Sequence, residues 1–300
     1  MARPEDLMQD TPKITQAMID AYDEYTHLTL DRRGFMARLT GLAGSAAAAA
    51  AIAPVLGANR ARAAIVAPDD GRVGSVWTTV PGDTGEIKAY LAEPAAGAKP
   101  FPAVVVIHEN RGLNAHIQDI ARRLALEGFL ALAPDFLSPS GGTPDDEDQA
   151  RAAIAALDGA ATTRNAAKAV DFLTAHKDSN GNVGAIGFCW GGGLVNDLAV
   201  FSPGLKAGVA YYGRQPDPED VPKIHAAMML HYGGLDQRIN AGIPAYREAL
   251  EGAGVEHQIF VYEGANHAFN NDTSEARYDK GAADLAWRRT VEFLKAKLAG

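Results

Sequence analysis

A short apolar segment that leads into a glycine-rich turn constrains this chain of 300 residues more than any other feature. Residues 182–193 read NVGAIGFCWGGG, which predicts a buried strand, a sharp turn and the start of a helix. Cys189, the only cysteine in the sequence, lies between Gly187 and Gly191. Because glycine lacks a Cβ, a strand and a helix can approach closely around such a turn. The pattern Gly-x-Cys-x-Gly therefore predicts a nucleophile on a strained turn, with a helix N-terminus that favours its thiolate.

The composition is that of an ordinary globular chain. Apolar residues make up 47% and charged residues 22% of the sequence, and the formal net charge is −9. No basic run indicates nucleic-acid binding, so we expect no nucleic-acid partner. A single cysteine excludes an intrachain disulfide framework, and C-x-x-C and H-E-x-x-H spacings are absent from the sequence. We therefore expect neither a metal ion nor a cofactor.

Residues 31–64 have the composition of an export signal. Arg32 and Arg33 precede a weakly apolar run rich in alanine and glycine, and a basic stretch follows that run. A twin arginine, such a run and an A-x-A-like end are typical of a twin-arginine signal that is cleaved after Ala63. The run is too short and too poor in Leu, Ile and Val to predict a stable membrane anchor after cleavage.

This interpretation divides the chain into an N-terminal extension, residues 1–63, and a catalytic domain, residues 64–300. It predicts the twin-arginine export machinery as a partner and a periplasmic or secreted protein. The part that precedes the twin arginine is long for a signal, and the stretch from Ile14 to Leu30 has a helical apolar pattern. The alternative is a helical N-terminal arm with an alanine-rich linker, on a cytoplasmic protein.

The rest of the chain alternates strand patterns with helical patterns. Besides the strand before Cys189, strands are predicted at residues 76–80, 86–91, 103–107, 129–133, 205–212, 227–232 and 257–262. Besides the helix after Cys189, helices are predicted at residues 114–127, 146–157, 161–176, 243–251 and 276–298, with a surface loop over residues 138–149. This alternation predicts a mostly parallel sheet of about seven or eight strands, with helices on both faces.

Two polar residues follow late strands of this predicted sheet. Asp236 comes after the strand at 227–232, and His267 comes after the strand at 257–262. In parallel sheets the reactive groups gather beyond the carboxyl ends of the strands. Taken singly, these residues could be a turn aspartate and a surface-loop histidine. The order Cys189, Asp236, His267 is the nucleophile–acid–base order of the α/β-hydrolase fold, and it predicts a triad in which Asp236 orients His267 as the general base.

Acyl transfer also requires two N–H donors for the oxyanion. The first candidate is the backbone N–H of Trp190, directly after the nucleophile. The second lies in the loop after the strand at 103–107, where the N–H of Asn110 is the best placed.

Four segments together resemble the dienelactone hydrolases, also called carboxymethylenebutenolidases. They read HENRGLN at 108–114, GFCWGG at 187–192, LD at 235–236 and NHAF at 266–269. The resemblance extends from about Trp77 to the C-terminus. Residues 211–215 and 277–280 further resemble a subgroup that carries an N-terminal extension.

The resemblance implies hydrolysis of a small-molecule ester or lactone through a thioester on Cys189. It also implies that Glu109 interacts with the thiol and takes part in forming the thiolate when substrate binds. From the residues alone, Glu109 could instead be a loop acid paired with Arg111.

One part of the pattern departs from that family, in which an arginine shortly after the catalytic histidine helps to hold a substrate carboxylate. Residues 268–272 read AFNND and contain no arginine. This departure puts dienelactone itself in doubt as the substrate, but not ester or lactone hydrolysis. The candidate substrate-binding residues are Arg111, Arg151, Tyr212 and Phe269.

Two other classes of function compete with hydrolysis. The first is a non-enzymatic binding protein on a hydrolase scaffold, which the presence of all three candidate triad residues disfavours. The second is thiol redox chemistry at Cys189, which the absence of a resolving cysteine in the sequence disfavours.

Overall fold

A computed structural model describes residues 13–57 and 64–300. Its centre is one eight-stranded sheet with the order β1-β2-β4-β3-β5-β6-β7-β8. The strands are β1 (Val73–Gly82), β2 (Gly85–Pro94), β3 (Phe101–Ile107), β4 (Leu130–Pro134), β5 (Ser179–Phe188), β6 (Ala207–Tyr211), β7 (Ala227–Gly233) and β8 (His257–Tyr262). Strand β2 pairs antiparallel with β1 and β4, and the other pairs are parallel. The predicted mostly parallel sheet is confirmed.

Helices cover both faces of this sheet. They are α1 (Gln16–Thr26), α2 (Arg32–Ala43), α3 (Ala46–Leu56), α4 (Ala115–Leu126), α5 (Glu147–Ala155), α6 (Gly159–Thr174), α7 (Trp190–Phe201), α8 (Gln237–Asn240), α9 (Ile243–Ala253) and α10 (Lys280–Leu298). Short 3₁₀ turns cover Ser138–Ser140 and Pro218–Lys223. A hydrophobic core lies on each face of the sheet, because successive side chains of a strand point to opposite faces. In β3, Val105 and Ile107 belong to the core under α6, α7 and α9, whereas Val104 and Val106 belong to the core under α4 and α10.

The sheet brings the candidate site together at one edge. The register pairs Ile107 with Gly187, and Phe188 with Tyr211, so β3, β5 and β6 end at the same level. Strand β7 ends opposite Tyr262, the last residue of β8. The loops that carry Asn110, Cys189, Asp236 and His267 therefore all leave from this edge.

The element boundaries differ from the predictions where side chains, rather than periodicity, decide them. Helix α10 begins at Lys280 rather than at residue 276, because Asp279 accepts a hydrogen bond from the backbone N–H of Ala282 and caps the helix. The short helix α8 was not predicted. It follows Asp236, whose side chain caps it by accepting a hydrogen bond from the N–H of Ile239, 3.2 Å away.

Helices α1, α2 and α3 form a unit with a small core of its own, built by Met18, Tyr22, Phe35, Leu39, Ile52 and Leu56 among others. We call residues 13–57 the helical cap. The helical pattern predicted from Ile14 to Leu30 is confirmed as α1. The twin arginine opens α2, and the predicted cleavage site at Ala63 lies outside the described residues.

Among the described helices, none is by itself both long and apolar enough to cross a membrane. Helices α2 and α3 are long and apolar enough only when they are taken together, and the chain bends by 113° between them.

Candidate active site

The turn at Cys189 has the strained geometry that the sequence predicts. Cys189 has φ 55° and ψ −114°, and its N–H donates to the carbonyl oxygen of Tyr211 over 3.0 Å. A Cβ on Gly187 would lie 2.1 Å from the carbonyl oxygen of Gly191, and a Cβ on Gly191 would lie 2.4 Å from that of His108. Only glycine fits at these two positions, and the turn presents a thiol that is 8% exposed at the start of α7.

The structure brings the predicted acid and base together beside this thiol. Nδ1 of His267 donates a hydrogen bond to Oδ2 of Asp236 over 2.6 Å, and both side chains are buried. This contact leaves Nε2 of His267 as the nitrogen that can accept a proton. Nε2 is buried and has no hydrogen-bond partner among the described residues, and one ring nitrogen of His267 lies within 4.8 Å of the Cys189 sulfur.

A second imidazole, which the sequence reasoning missed, touches the thiol. Nε2 of His27 lies 3.3 Å from Sγ of Cys189, and the rings of His27 and His267 meet edge to face with centroids 4.7 Å apart. His27 follows α1 directly, so it comes from the helical cap. It escaped detection because it precedes the twin arginine, in a segment that was assigned to export and not to the fold.

The electrostatics of the site favour a thiolate. Burial alone would raise the pKa of Cys189, but the charges of His267 and His27 outweigh it and lower that pKa to about 6. Burial opposes the charged form of His27 too, yet Cys189 and Asp23 raise its pKa to about 9. The pKa of His267 is also raised, against the effect of burial, by Asp23, Asp236 and Cys189. Near neutral pH the site therefore holds a thiolate beside imidazolium.

The residues of the two predicted oxyanion donors, Trp190 and Asn110, line the same cavity as Cys189. Trp190 is the first residue of α7, so its N–H has no carbonyl partner within the helix. The backbone N–H of Asn110 donates no hydrogen bond to another described residue. The side chain of Asn110 is occupied elsewhere, since Nδ2 donates to the carbonyl oxygen of Thr26 over 2.7 Å.

Glu109 is buried, but no hydrogen bond joins it to Cys189 in the described chain. Its Oε2 accepts a hydrogen bond from Nδ2 of Asn271 over 2.8 Å, and Oε1 has no partner among the described residues. Although burial opposes ionisation, Arg111, His116 and further cations lower the pKa of Glu109. Glu109 is therefore a carboxylate with one free oxygen, and its predicted contact with the thiol stays a prediction.

A cavity of about 220 Å³ opens onto Cys189. Of the four candidate substrate-binding residues, Arg151 and Tyr212 line it. Arg111 lies instead in a neighbouring cavity, 3.6 Å from Glu147, and Phe269 is buried against Tyr212 and Tyr262. Arg111 and Phe269 therefore do not line this cavity, and their contact with a substrate stays a prediction.

The sequence reasoning also missed two arginines of this cavity. Arg214 follows β6 and pairs with Asp197, and Arg238 lies in α8, 3.7 Å from Asp23. Arg214 and Arg238 both precede His267 in the sequence. The sequence reasoning searched for an arginine only after this histidine, at residues 268–272, and therefore did not find them.

The same groups have the spacing of a metal site. One ligand atom each from His27, Cys189 and His267 lies within 4.8 Å of the others, and Asp23, Asp236 and His267 form a second such set. Thiolate and imidazole are ligands that zinc accepts. Both sets contain His267. Its hydrogen bond to Asp236 is equally the contact expected of an acid–base pair, so this spacing fits both interpretations.

A mostly parallel sheet with a cysteine on a glycine turn, and with an aspartate and a histidine after later strands, has the architecture of an α/β-hydrolase. Residues 87–298 match the Dienelactone hydrolase family. This chain belongs to the dienelactone hydrolase family.

Individual relatives agree with this assignment. A protein of Escherichia coli O157:H7 described as "Putative carboxymethylenebutenolidase" is 33% identical over 243 residues, which cover 76% of this chain and 89% of the relative. A protein of Saccharolobus solfataricus with the same description is 33% identical over 251 residues, with 71% and 95% covered. Among solved structures, the dienelactone hydrolase-like promiscuous phosphotriesterase P91 from metagenomic libraries is 26% identical with a TM-score of 0.70, covering 76% of this chain and 100% of P91.

Proposed function

We propose that this protein hydrolyses small carboxylic esters or lactones through a thioester on Cys189. The observation that carries the proposal is the convergence of Cys189, His267 and Asp236 at one sheet edge in a chain of the dienelactone hydrolase family. Nε2 of His267 is buried without a hydrogen-bond partner in the described part of the chain, which supports the role of His267 as the base.

The reaction takes two acyl-transfer steps. The Cys189 sulfur attacks the carbonyl carbon, and the N–H groups of Trp190 and Asn110 stabilise the oxyanion. The ester C–O bond breaks, the alkoxide takes the proton of His267, and a thioester remains. Neutral His267 then removes a proton from water, the hydroxide attacks the thioester, and the C–S bond breaks to return the thiolate and release the acid.

The cavity favours a small substrate with an anionic group. Its volume of about 220 Å³ leaves room for a compact acyl or lactone ring rather than a long chain. Arg151, Arg214 and Arg238 line the cavity and would attract a carboxylate.

Activity profiling tests this proposal. The full-length protein is assayed with p-nitrophenyl esters of increasing chain length and with lactones, with and without a carboxylate, and Cys189→Ala is the blank. We expect turnover that the blank lacks and an acyl adduct on Cys189 in the intact mass. Activity that survives in Cys189→Ala would refute the thioester route. A folded wild type without turnover or adduct would favour a binding protein on a hydrolase scaffold.

We further propose that Arg32 and Arg33 direct this protein into the twin-arginine export route. That route carries folded proteins, which suits an enzyme with a free thiol that need not form disulfides.

A further inference from the structure

The contact between the helical cap and the thiol is built as a second acid–imidazole pair. Nδ1 of His27 donates to the backbone carbonyl oxygen of Asp23 over 2.8 Å, and Oδ1 of Asp23 lies 3.4 Å from the same nitrogen. This fixes Nε2 as the nitrogen that faces Sγ of Cys189. The arrangement repeats that of Asp236 and His267 on the other side of the thiol.

The cap is anchored on the loops that carry the catalytic groups. Thr26 accepts a hydrogen bond from the side chain of Asn110, in the oxyanion loop. The amide of Gln16 donates to Oδ1 of Asn266, the residue before His267, over 2.5 Å. These contacts hold the cap to two loops of the site at once, so the position of His27 is tied to the geometry of the oxyanion and base loops.

Further contacts stabilise the carboxylate of Asp23, which orients His27. The guanidinium of Arg277 lies 5.0 Å from the ring centroid of Tyr22, and one of its nitrogens lies 3.9 Å from Asp23. Although burial opposes it, the charge of His267, with His27 and Arg277, lowers the pKa of Asp23. Asp23 is thus held ionised next to both imidazoles.

The cap forms a wall of the substrate cavity and does not fill it. Thr26, His27 and Leu28 line the cavity of about 220 Å³ that remains open to Cys189 with the cap in place. Leu28 has φ 59°, a strained value for a residue with a Cβ, so the backbone turns sharply directly after His27. An inhibitory plug would occupy this space, whereas the wall leaves room for a substrate.

We propose that the helical cap is a lasting part of the active site, in which His27, oriented by Asp23, holds the Cys189 thiolate while His267 moves the proton. This inference rests on the proposed ester or lactone hydrolysis. The two imidazoles have different roles in this proposal. His27 remains a fixed cation beside the sulfur, whereas His267 gives its proton to the leaving alkoxide and later takes one from water. The family match covers residues 87–298 and so does not include the cap.

The proposal opposes the predicted cleavage after Ala63, which would separate His27 from the catalytic domain. The intact mass of the protein from its native compartment decides between them. We expect a chain that still contains residues 13–57. A mature chain that begins at Ala64, without the released segment bound, would overturn the proposal.

The pH dependence of thiol alkylation tests His27 directly. The rate of alkylation by iodoacetamide is measured in full-length wild type, His27→Ala and His27→Gln, with His225→Ala, an exposed histidine, as the matched control. We expect the pH at which the alkylation rate is half-maximal to rise by at least about one unit in both His27 variants. At pH 5 their alkylation rate should then be about tenfold lower than that of the wild type. The control should match the wild type.

The charged and titratable groups around this thiol come from several elements and stay in place in these variants. They are Asp23 of α1, Glu109 and Arg111 after β3, Arg151 of α5, Tyr212 and Arg214 after β6, Asp236 after β7, Arg238 of α8, His267 after β8 and Arg277 before α10. Circular dichroism and thermal unfolding check the fold of each variant.

An unchanged midpoint in folded His27→Gln would overturn the role of His27. The alkylation assay needs no substrate, so it separates this inference from the proposed function. If the midpoint shifts in the variants but the wild type hydrolyses no ester or lactone, only the proposed hydrolysis fails. If the wild type is active and the midpoint does not move, only the role of His27 fails.

Discussion

Oδ2 of Asp236 and Nδ1 of His267 lie 2.6 Å apart in a buried contact that joins the loops after β7 and β8. The carboxylate fixes the tautomer of His267 and stabilises its imidazolium form. We expect Asp236→Asn to lower kcat by about 10²- to 10⁴-fold with a small change in KM, because the amide stabilises the wrong tautomer. Steady-state kinetics on an aryl ester measure this.

A matched control for this change is Asp158→Asn, which alters the cap of α6 away from the site. Asparagine caps a helix about as well as aspartate, so kcat should not change. A kcat of Asp236→Asn equal to that of the control would remove Asp236 from the mechanism.

The pH profile of activity should follow the ionisation of the Cys189 thiol. The pKa of Cys189, about 6, lies below that of an ordinary thiol, so the thiolate persists down to about pH 6 and is lost as the pH falls further. We expect kcat/KM to rise through a midpoint near pH 6. A midpoint near 8.5, the ordinary value of a free thiol, would show that the imidazoles do not stabilise the thiolate.

The glycine turn should tolerate no Cβ. Gly187→Ala would place a Cβ 2.1 Å from the carbonyl oxygen of Gly191, and we expect it to destabilise the fold by at least about 3 kcal/mol. Gly252 in α9 has open space around its missing Cβ, and Gly252→Ala should stabilise by about 0.5 kcal/mol. Chemical denaturation of both variants measures the contrast, and equal effects would contradict the close approach at the turn.

Buried His231 predicts a loss of stability in acid. It contacts the hydroxyls of Tyr262 and Thr290 at 2.9 and 3.1 Å, and burial, with the charge of Arg289, lowers its pKa to about 3. Below pH 6.5 the unfolded chain binds this proton more readily than the folded one, so stability falls as the pH drops toward 3. We expect a loss of about 2.3 kcal/mol between pH 6.5 and 4.5, since the unfolded histidine is already half protonated at pH 6.5. His231→Gln should lack this part of the slope, and parallel pH dependences would contradict the prediction.

The proposed export route predicts a dependence on the two arginines that open α2. We expect Arg32→Lys with Arg33→Lys to retain the protein in the cytoplasm, because the twin-arginine route reads the guanidinium pair and not only its charge. Cell fractionation with immunoblotting measures the distribution. An unchanged distribution would exclude this route, and the exposed Arg164→Lys serves as the control.

Most of the catalytic domain could be predicted from the sequence because its signals are local. The β-branched run of β3, the helical apolar faces and the glycine spacing around Cys189 each act within a few residues. Asp236 and His267 could be found because they follow strands whose parallel order places their ends at one edge. Arg111 and Phe269 do not line the cavity that opens onto Cys189, since proximity in the sequence to site residues does not determine which way a buried side chain points.

The sequence by itself determined the α/β alternation and the glycine turn at Cys189, because these depend on short-range periodicity and on the backbone freedom of glycine. Only the tertiary structure decided that His27, 162 positions before Cys189, meets the sulfur at 3.3 Å. That contact depends on how α1 docks through Tyr22, Gln16 and Thr26 on distant loops. No local pattern encodes such docking, because it is the sum of contacts between segments far apart in the chain.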